Sequence, residues 1–103
     1  MTERTRLPNR RGHEVFDFEH VGQRYTASVT RFATGEPAEI FINAAKVGTD
    51  IETVARDAAI LISIAAQYGV PLEAFRHAVT RNSDGSPSGV VGKLLDLLSN
   101  NAP

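Results

Sequence analysis

TDIETVARDAAILISIAAQYG, residues 49–69, is the stretch that decides how this chain folds. Its apolar residues recur at the i, i+3, i+4, i+7 spacing of an amphipathic helix. Thr49 can cap a free backbone amide with its hydroxyl while Glu52 reaches back to complete a capping box. Gly69 suits the left-handed conformation that follows a last helical turn, and Pro71 opposes continuation. The sequence therefore predicts a helix that begins at Asp50 and ends before Gly69. Its apolar positions are Ile51, Val54, Ala55, Ala58, Leu61, Ile62, Ala65 and Ala66.

The middle of this helix is almost entirely apolar. Between Ala58 and Ala66 only Ser63 is polar. This pattern predicts that neighbouring elements cover the helix on more than one side. A serine in such surroundings is expected to donate its hydroxyl hydrogen to the carbonyl one helical turn earlier.

Three short strands are predicted before the helix. Residues 14–20 alternate phenylalanines with acidic residues, as a half-buried strand does. Residues 23–33 are rich in aromatic, threonine and valine residues, and residues 38–43 form a third, shorter apolar strand. Turn-forming residues separate the strands at 21–22 and 34–37. We expect an antiparallel meander with one face open to water and the other covered by the helix from Asp50.

The chain continues into less regular sequence. Pro71 opens a second helix, from Leu72 to about Thr80, and residues 81–89 form a polar loop or flexible linker. Residues 90–98 predict a third, short helix with a leucine-rich edge. That edge either completes the core or meets a partner. We favour completion of the core and keep dimerisation as the main alternative.

These elements define an α+β fold, a three-stranded antiparallel meander packed against two or three helices. We expect a basic flexible arm at residues 1–13, one domain at residues 14–98, and a frayed tail at residues 99–103. A chain of 103 residues with 42% hydrophobic residues can bury a modest core. It has no cysteine, no signal-peptide pattern, and no apolar run long enough to span a bilayer. We expect a cytoplasmic protein without a membrane partner.

The first 13 residues carry an excess of positive charge. Against Glu3 they hold Arg4, Arg6, Arg10 and Arg11, a net charge of about +3 in a chain whose total charge is -1. Such an arm is a candidate for contact with phosphate or nucleic acid. A solvated terminus is the interpretation that we favour.

No catalytic constellation is visible in the sequence. His13, His20 and His77 are isolated, without the spacing of a metal site, so we expect no metal. His20 is expected to end a strand and His77 to lie on a helix surface. Ser63 has no evident base or oxyanion motif beside it. We predict no catalytic residue and no cofactor.

Two further groups of polar residues have plain structural interpretations. Residues 84–93 (DGSPSGVVGK) resemble a phosphate loop only loosely, because Leu94 follows Lys93 where that motif needs serine or threonine. A linker before a short helix is the better interpretation. The charged residues Arg56, Asp57, Arg76 and Arg81 are expected to form the solvated face and cap of the helices.

Residues 35–79 carry a family resemblance. The matching elements are GEP at 35–37, EIFI at 39–42, KVGTD at 46–50, ISIA at 62–65 and QYGVPLE at 67–73. With residues 24–32 as the preceding strand, the chain over about two thirds of its length resembles the TSCPD domain. That domain is found near the C-terminus of adenosylcobalamin-dependent ribonucleotide reductases and in short stand-alone bacterial proteins. Its motifs are turns, caps and core positions, so they specify family better than activity.

The resemblance implies a non-catalytic accessory or binding module in deoxyribonucleotide metabolism. The radical cysteines, dithiol pair and cobalamin site of such a reductase are not contained in 103 cysteine-free residues. We therefore expect no enzymatic activity from the isolated chain, and any reductase label would come from the shared domain. The expected partner is a protein, a reductase subunit among the candidates, a nucleotide-related ligand, or a second copy in a homodimer. The alternative function is a small nucleic-acid-binding protein that uses the N-terminal arginines.

Overall fold

The computed structural model describes residues 13–44 and 49–100, without the side chain of residue 100. The strands are β1 (His13–His20), β2 (Gln23–Arg31) and β3 (Pro37–Ala44), and the helices are α1 (Asp50–Gln67), α2 (Leu72–Ala78) and α3 (Val90–Asn100). The predicted α+β fold is confirmed. β1 begins at residue 13, one residue earlier than predicted, and α3 continues two residues beyond the predicted 98.

The three strands form an antiparallel sheet in the order β1-β2-β3. Directly opposed residues share a face, so Phe18 beside Tyr25 and Ala27 beside Ile42 place apolar side chains on the same side. These four side chains are buried. The β1–β2 turn has positive φ at both central positions, 50° at Val21 and 75° at Gly22. Positive φ at both positions matches the right-handed twist of the strands, which is why the hairpin closes in two residues.

Helix α3 supplies the centre of the hydrophobic core. Leu94 and Leu95 are 0% exposed and Leu98 is 1% exposed. Leu94 and Leu98 belong to the same core cluster as Phe18 and Ile42 of the sheet. Of the two alternatives for this helix, completion of the core is therefore confirmed. Helix α3 therefore covers the sheet together with α1, whereas the sequence predicted that α1 alone would cover it.

Helix α1 packs along β3 with a face that differs from the predicted one. Of the predicted stripe, Ala55 and Ala66 are buried, but Ile51 and Val54 are exposed. The buried positions at the start of the helix each lie one residue later along it, so the packed face is rotated by about 100°. The buried residues of α1 are Glu52, Ala55, Ala59, Ser63, Ala66 and Gln67.

The polar residues of this buried face bind the free edge of β3. The hydroxyl of Ser63 accepts a hydrogen bond from the backbone N–H of Ile40 at 2.8 Å. The same hydroxyl can donate its hydrogen to either of two carbonyl oxygens, that of Ala59, 2.8 Å from the hydroxyl oxygen, or that of Ile40, 3.1 Å from it. The amide of Gln67 donates to the carbonyl of Ala38 at 3.1 Å. Since an unpaired strand edge invites further strand addition, α1 protects part of this edge by bonding the backbone groups of Ile40 and Ala38 with its side chains. The predicted bond from Ser63 to the preceding turn is confirmed.

The N-terminus of α1 follows the predicted cap in part. Thr49 lies in an extended conformation, and its hydroxyl accepts a hydrogen bond from the N–H of Glu52 at 3.1 Å. The carboxylate of Glu52 does not complete a capping box. It is 4% exposed and pairs with Arg56 one turn later. Arg56 in turn donates to the side chain of Asn43 on β3 at 3.4 Å, so the charged group ties the helix to the sheet.

The segment 81–89 is a hydrogen-bonded hairpin and not the flexible linker that the sequence suggested. Asn82 N–H donates to the Ser86 carbonyl at 2.8 Å and Ser88 N–H donates to the Thr80 carbonyl at 3.1 Å. The carboxylate of Asp84 accepts from the Ser86 N–H at 2.9 Å. On α3, the absence of a side chain at residue 92 lets this hairpin approach closely, since an added Cβ would lie 3.0 Å from Pro87.

Candidate functional site

The outward side of helix α1 is apolar. Val54 and Leu61 are each 67% exposed and Ile51 is 63% exposed. The sequence predicted that the middle of this helix is covered on more than one side, and that prediction is wrong at Leu61. We define the α1 stripe as the six residues that recur along this side at alternating intervals of three and four: Ile51, Val54, Ala58, Leu61, Ala65 and Tyr68.

Helix α1 can turn only one side toward the sheet, and this explains why its apolar side lies outward. The side of α1 that carries Glu52, Ser63 and Gln67 is the one that supplies hydrogen bonds to β3 and Arg56. Small residues on the same side, such as Ala55 and Ala59, let the helix approach the strand closely. With that side against the sheet, the large apolar residues must face elsewhere. Exposed contiguous apolar surface of this kind marks sites of protein–protein contact.

An apolar groove runs beside the α1 stripe. Its volume is about 640 Å³, in the range of ligand and peptide sites. Helix α1 forms one wall, with Ile51, Val54 and Leu61 among its lining residues, and Val79 and Val91 lie on the opposite wall. Among residues 13–44 and 49–100, Asp50 is the only charged residue that lines the groove. The described lining is therefore suited to apolar side chains and contains no set of groups for acid–base or nucleophilic chemistry.

A second concave region, of about 280 Å³, is polar. It lies at Arg76 and Arg81, whose guanidinium groups both bind the carboxylate of Asp96 on α3. Arg81 makes a two-pronged contact at 2.9 and 2.8 Å, and Arg76 donates at 3.1 Å. Arg76 also pairs with Glu73 at 2.8 Å. The sequence interpretation of Arg76 and Arg81 as solvated surface is wrong, because their charges fix the 81–89 hairpin and α2 to α3.

The pKa of Asp96 is lowered to about 2, first by the hydrogen bond from Arg81 and then by that from Arg76. A carboxyl whose folded pKa lies below its unfolded value stabilises the fold above the unfolded pKa, here near 3.8, and that contribution is lost as the pH falls toward 2. We expect Asp96→Asn to lower the free energy of unfolding at neutral pH by at most about 2 kcal/mol, because partial exposure weakens the pairs.

The measurement is urea denaturation of both proteins between pH 7 and pH 2.5. The difference in free energy of unfolding between the wild type and Asp96→Asn should be constant near neutral pH and should become smaller below about pH 4. Asp57→Asn, at an exposed position on α1, is the control and should show no comparable difference. A difference in free energy that is unchanged at pH 2.5 would contradict the conclusion that Arg76 and Arg81 stabilise the ionised carboxylate of Asp96.

The predicted site residues are placed as follows. Arg4, Arg6, Arg10 and Arg11, the candidate phosphate contacts, lie outside the described residues. The remaining arginines are paired with carboxylates: Arg24 with Asp17, Arg31 with Glu14, Arg56 with Glu52, and Arg76 and Arg81 with Asp96.

The three histidines are not brought together. His13 lies 3.4 Å from the hydroxyl of Thr30, and His20 ends β1 and donates to the carbonyl of Ser88 at 3.2 Å. The side chain of His77 is 82% exposed on α2, as predicted for a helix surface. Among residues 13–44 and 49–100 there is no group of three or more His, Cys, Asp or Glu residues that would hold a metal ion.

The outer face of the sheet is mostly polar. Phe16 and Phe18 of β1 belong to the core side with Tyr25 of β2. Phe41 of β3 is 44% exposed and lies on the outer face. The sheet therefore does not present the row of exposed aromatics on which nucleic-acid bases usually stack. Within the part of the chain that the structure describes, no helix is long and apolar enough to cross a membrane.

The chain is similar to two curated proteins named vitamin B12-dependent ribonucleotide reductase. It is 36% identical over 89 residues to the one from Agrobacterium fabrum, a match that covers 86% of this chain and 7% of that protein. It is 39% identical over 70 residues to the one from Rhodopirellula baltica, which covers 68% of this chain and 7% of that protein. The chain thus spans about 7% of the length of these relatives. Relatedness to a small part of the reductase is confirmed. No family model matches the chain, and no solved structure gave a significant match.

Proposed function

We propose that this chain is a non-catalytic accessory module of the TSCPD type that acts in ribonucleotide reduction by binding protein through the α1 stripe. The observation that carries the proposal is a combination. The chain is related to a short part of B12-dependent reductases, and the longest helix of its fold carries an exposed apolar surface that the core does not use.

The distribution of charge supports a binding module over an enzyme. The charged groups in the described ion pairs are engaged within the fold. Those at Asp96, for example, hold the 81–89 hairpin to α3. The 103 residues contain no cysteine, so this sequence supplies no thiol of its own for the radical and dithiol chemistry that ribonucleotide reductases use. The chemistry that it does supply is apolar contact. We infer that its partner is a protein of the same pathway, with the reductase as the first candidate.

The test is affinity capture of the tagged chain from its own cell lysate, treated with nuclease, followed by mass spectrometry. We expect the B12-dependent reductase to be retained by the wild-type chain and lost with Leu61→Glu. Because Leu61 is 67% exposed, this change should leave the fold intact. Ile60→Glu, on the same helix but outside the α1 stripe, is the matched control and should still retain the reductase. Equal retention by all three baits, or none by the wild type, would contradict the proposal.

Nucleic-acid binding through Arg4, Arg6, Arg10 and Arg11 is the second candidate. It is favoured by one observation, the concentration of four of the eleven basic residues of the chain within eight positions. The described residues oppose it, because their arginines are paired with acids. In the capture experiment without nuclease, this function would appear as nucleic acid that is released by high salt and lost when the four arginines are changed to alanine.

A further inference from the structure

The spacing of the α1 stripe is that of a coiled-coil seam. Its six residues follow intervals of three, four, three, four and three, the a and d positions of successive heptads. We propose that the α1 stripe binds the α1 stripe of a second copy of this chain, with the two helices antiparallel about a two-fold axis. The inference rests on the proposed function, because it concerns the same surface: the second copy occupies the α1 stripe when the reductase does not, and the two compete for it.

The stripe is complementary to itself in the antiparallel direction. A two-fold axis between residues 59 and 60 places Ala58 opposite Leu61 of the second copy, and Val54 opposite Ala65. At both levels a large side chain meets a small one, the arrangement that lets facing layers of a helix pair interdigitate. A parallel pair in register would set Leu61 against Leu61 and Ala58 against Ala58, which leaves one level crowded and the next empty.

The groove beside the stripe accommodates the remaining pair. In the antiparallel register Ile51 lies opposite Tyr68 of the second copy, and both are large. This level falls where the groove of about 640 Å³ opens between Ile51, Val54, Val79 and Val91. Tyr68 is 42% exposed at the end of α1. Its ring therefore has an apolar place to enter on the second copy, and the symmetry fills both grooves at once.

The expected interface is small. A helix of 18 residues is about 27 Å long and, with its side chains, about 10–12 Å wide. Such a stripe covers about 300 Å² on each copy, so even with the groove the interface stays below the total of about 1,000 Å² that stable specific interfaces bury. We therefore expect a dimer that dissociates in the micromolar range and not an obligate one. Because the stripe carries no charge, its association should change little with salt.

The first experiment is sedimentation equilibrium of the purified chain from about 1 to 200 µM, the range that brackets a micromolar dissociation constant. We expect the mass to rise from 11.2 kDa toward twice that value. Leu61→Glu should weaken the dimer at least about 100-fold, because two carboxylates would be buried near the axis. Ile60→Glu should dimerise as the wild type does. A monomer throughout the range, or equal loss in both variants that remain folded by circular dichroism, would overturn the proposal.

The second experiment uses the absence of cysteine from the chain. The single variants Val54→Cys and Ala65→Cys are prepared separately, oxidised alone, and then oxidised as a mixture. A disulfide needs Cα atoms within about 7 Å. The antiparallel register therefore predicts a cross-linked dimer from the mixture and none from either variant alone. Efficient cross-linking of Val54→Cys with itself would indicate a parallel pair and overturn the register.

The outcomes separate this inference from the proposed function. A folded monomer whose capture of the reductase still depends on Leu61 would contradict the inference and leave the accessory role standing, with the reductase as occupant of the stripe. A cross-linked antiparallel dimer that captures no reductase would support the inference and contradict the proposed binding of the reductase.

Discussion

Replacing Leu94 by alanine is expected to lower the free energy of unfolding by about 2–5 kcal/mol, the largest effect that we predict for this protein. The side chain is 0% exposed within the core cluster that joins α3 to the sheet. Its removal costs both the burial of apolar atoms and the cavity left behind. The loss is a large part of the about 5–15 kcal/mol that stabilises a domain. At about 4–8 °C per kcal/mol, the melting temperature should fall by about 8 °C or more.

Leu61→Ala is the matched control for this change. It removes the same atoms from a residue that is 67% exposed, and in dilute solution it should alter the free energy of unfolding by no more than about 0.5 kcal/mol. Thermal melts followed by circular dichroism compare the two variants. If both changes cost the same, α3 would not be part of the core, and its leucines would have to be reassigned to an interface.

The second largest effect is expected for Ser63→Ala. This change removes the oxygen that accepts from the buried N–H of Ile40 and leaves a donor on the β3 edge without its partner. An orphaned buried group costs about 1–3 kcal/mol. In amide hydrogen exchange, the Ile40 N–H should lose protection beyond what the global loss of stability explains, because only this amide loses its acceptor.

Thr53→Ala provides the comparison for Ser63→Ala. It removes a hydroxyl from an exposed position on the same helix and should leave the exchange rate of Ile40 unchanged. Unaltered protection of Ile40 in Ser63→Ala would mean that another group satisfies the edge of β3, and that α1 is held to the sheet by apolar contact alone.

These two predictions bear on the proposed function because they concern what fixes the direction of the α1 stripe. The hydrogen bonds of Ser63 and Gln67 select the side of α1 that meets β3. The leucines of α3 fill the core that α1 would otherwise have to fill with Ile51, Val54 and Leu61. With the core complete, the large residues of α1 remain available on the outside.

The sequence placed the elements well because their signals are local. The cap at Thr49, the turn at Val21-Gly22 and the stop at Gly69 each depend on residues a few positions apart. The turn and the stop are found as expected, and the cap is found without the predicted contribution of the Glu52 carboxylate. The positions of His20 and His77 also followed from the ends and faces of these elements, whereas His13, expected in the N-terminal arm, begins β1. The relation to ribonucleotide reductases was visible in turns, caps and core residues for the same reason.

The candidate site could not be predicted in the same way. The periodicity predicts an apolar face that includes Ile51, Val54 and Leu61 but not Tyr68, and it predicts this face to be buried, whereas the structure exposes it. Periodicity reports that one side of a helix is apolar without reporting what lies against it. The signal that would have helped is the set of polar residues at 52, 63 and 67, which share the side opposite to Leu61 and suit an unpaired strand edge.

By itself, then, the sequence determined which segments form strands and helices, their bounds to within about two residues, and to which larger protein the chain is related. Only the tertiary structure decided that α3 fills the core, that Arg76 and Arg81 converge on Asp96, and that α1 turns its large apolar residues outward. The physical reason is the range of the interactions. Caps and turns act within a few residues, whereas burial depends on which of several competing surfaces satisfies the sheet, and residues far apart in the chain settle that competition.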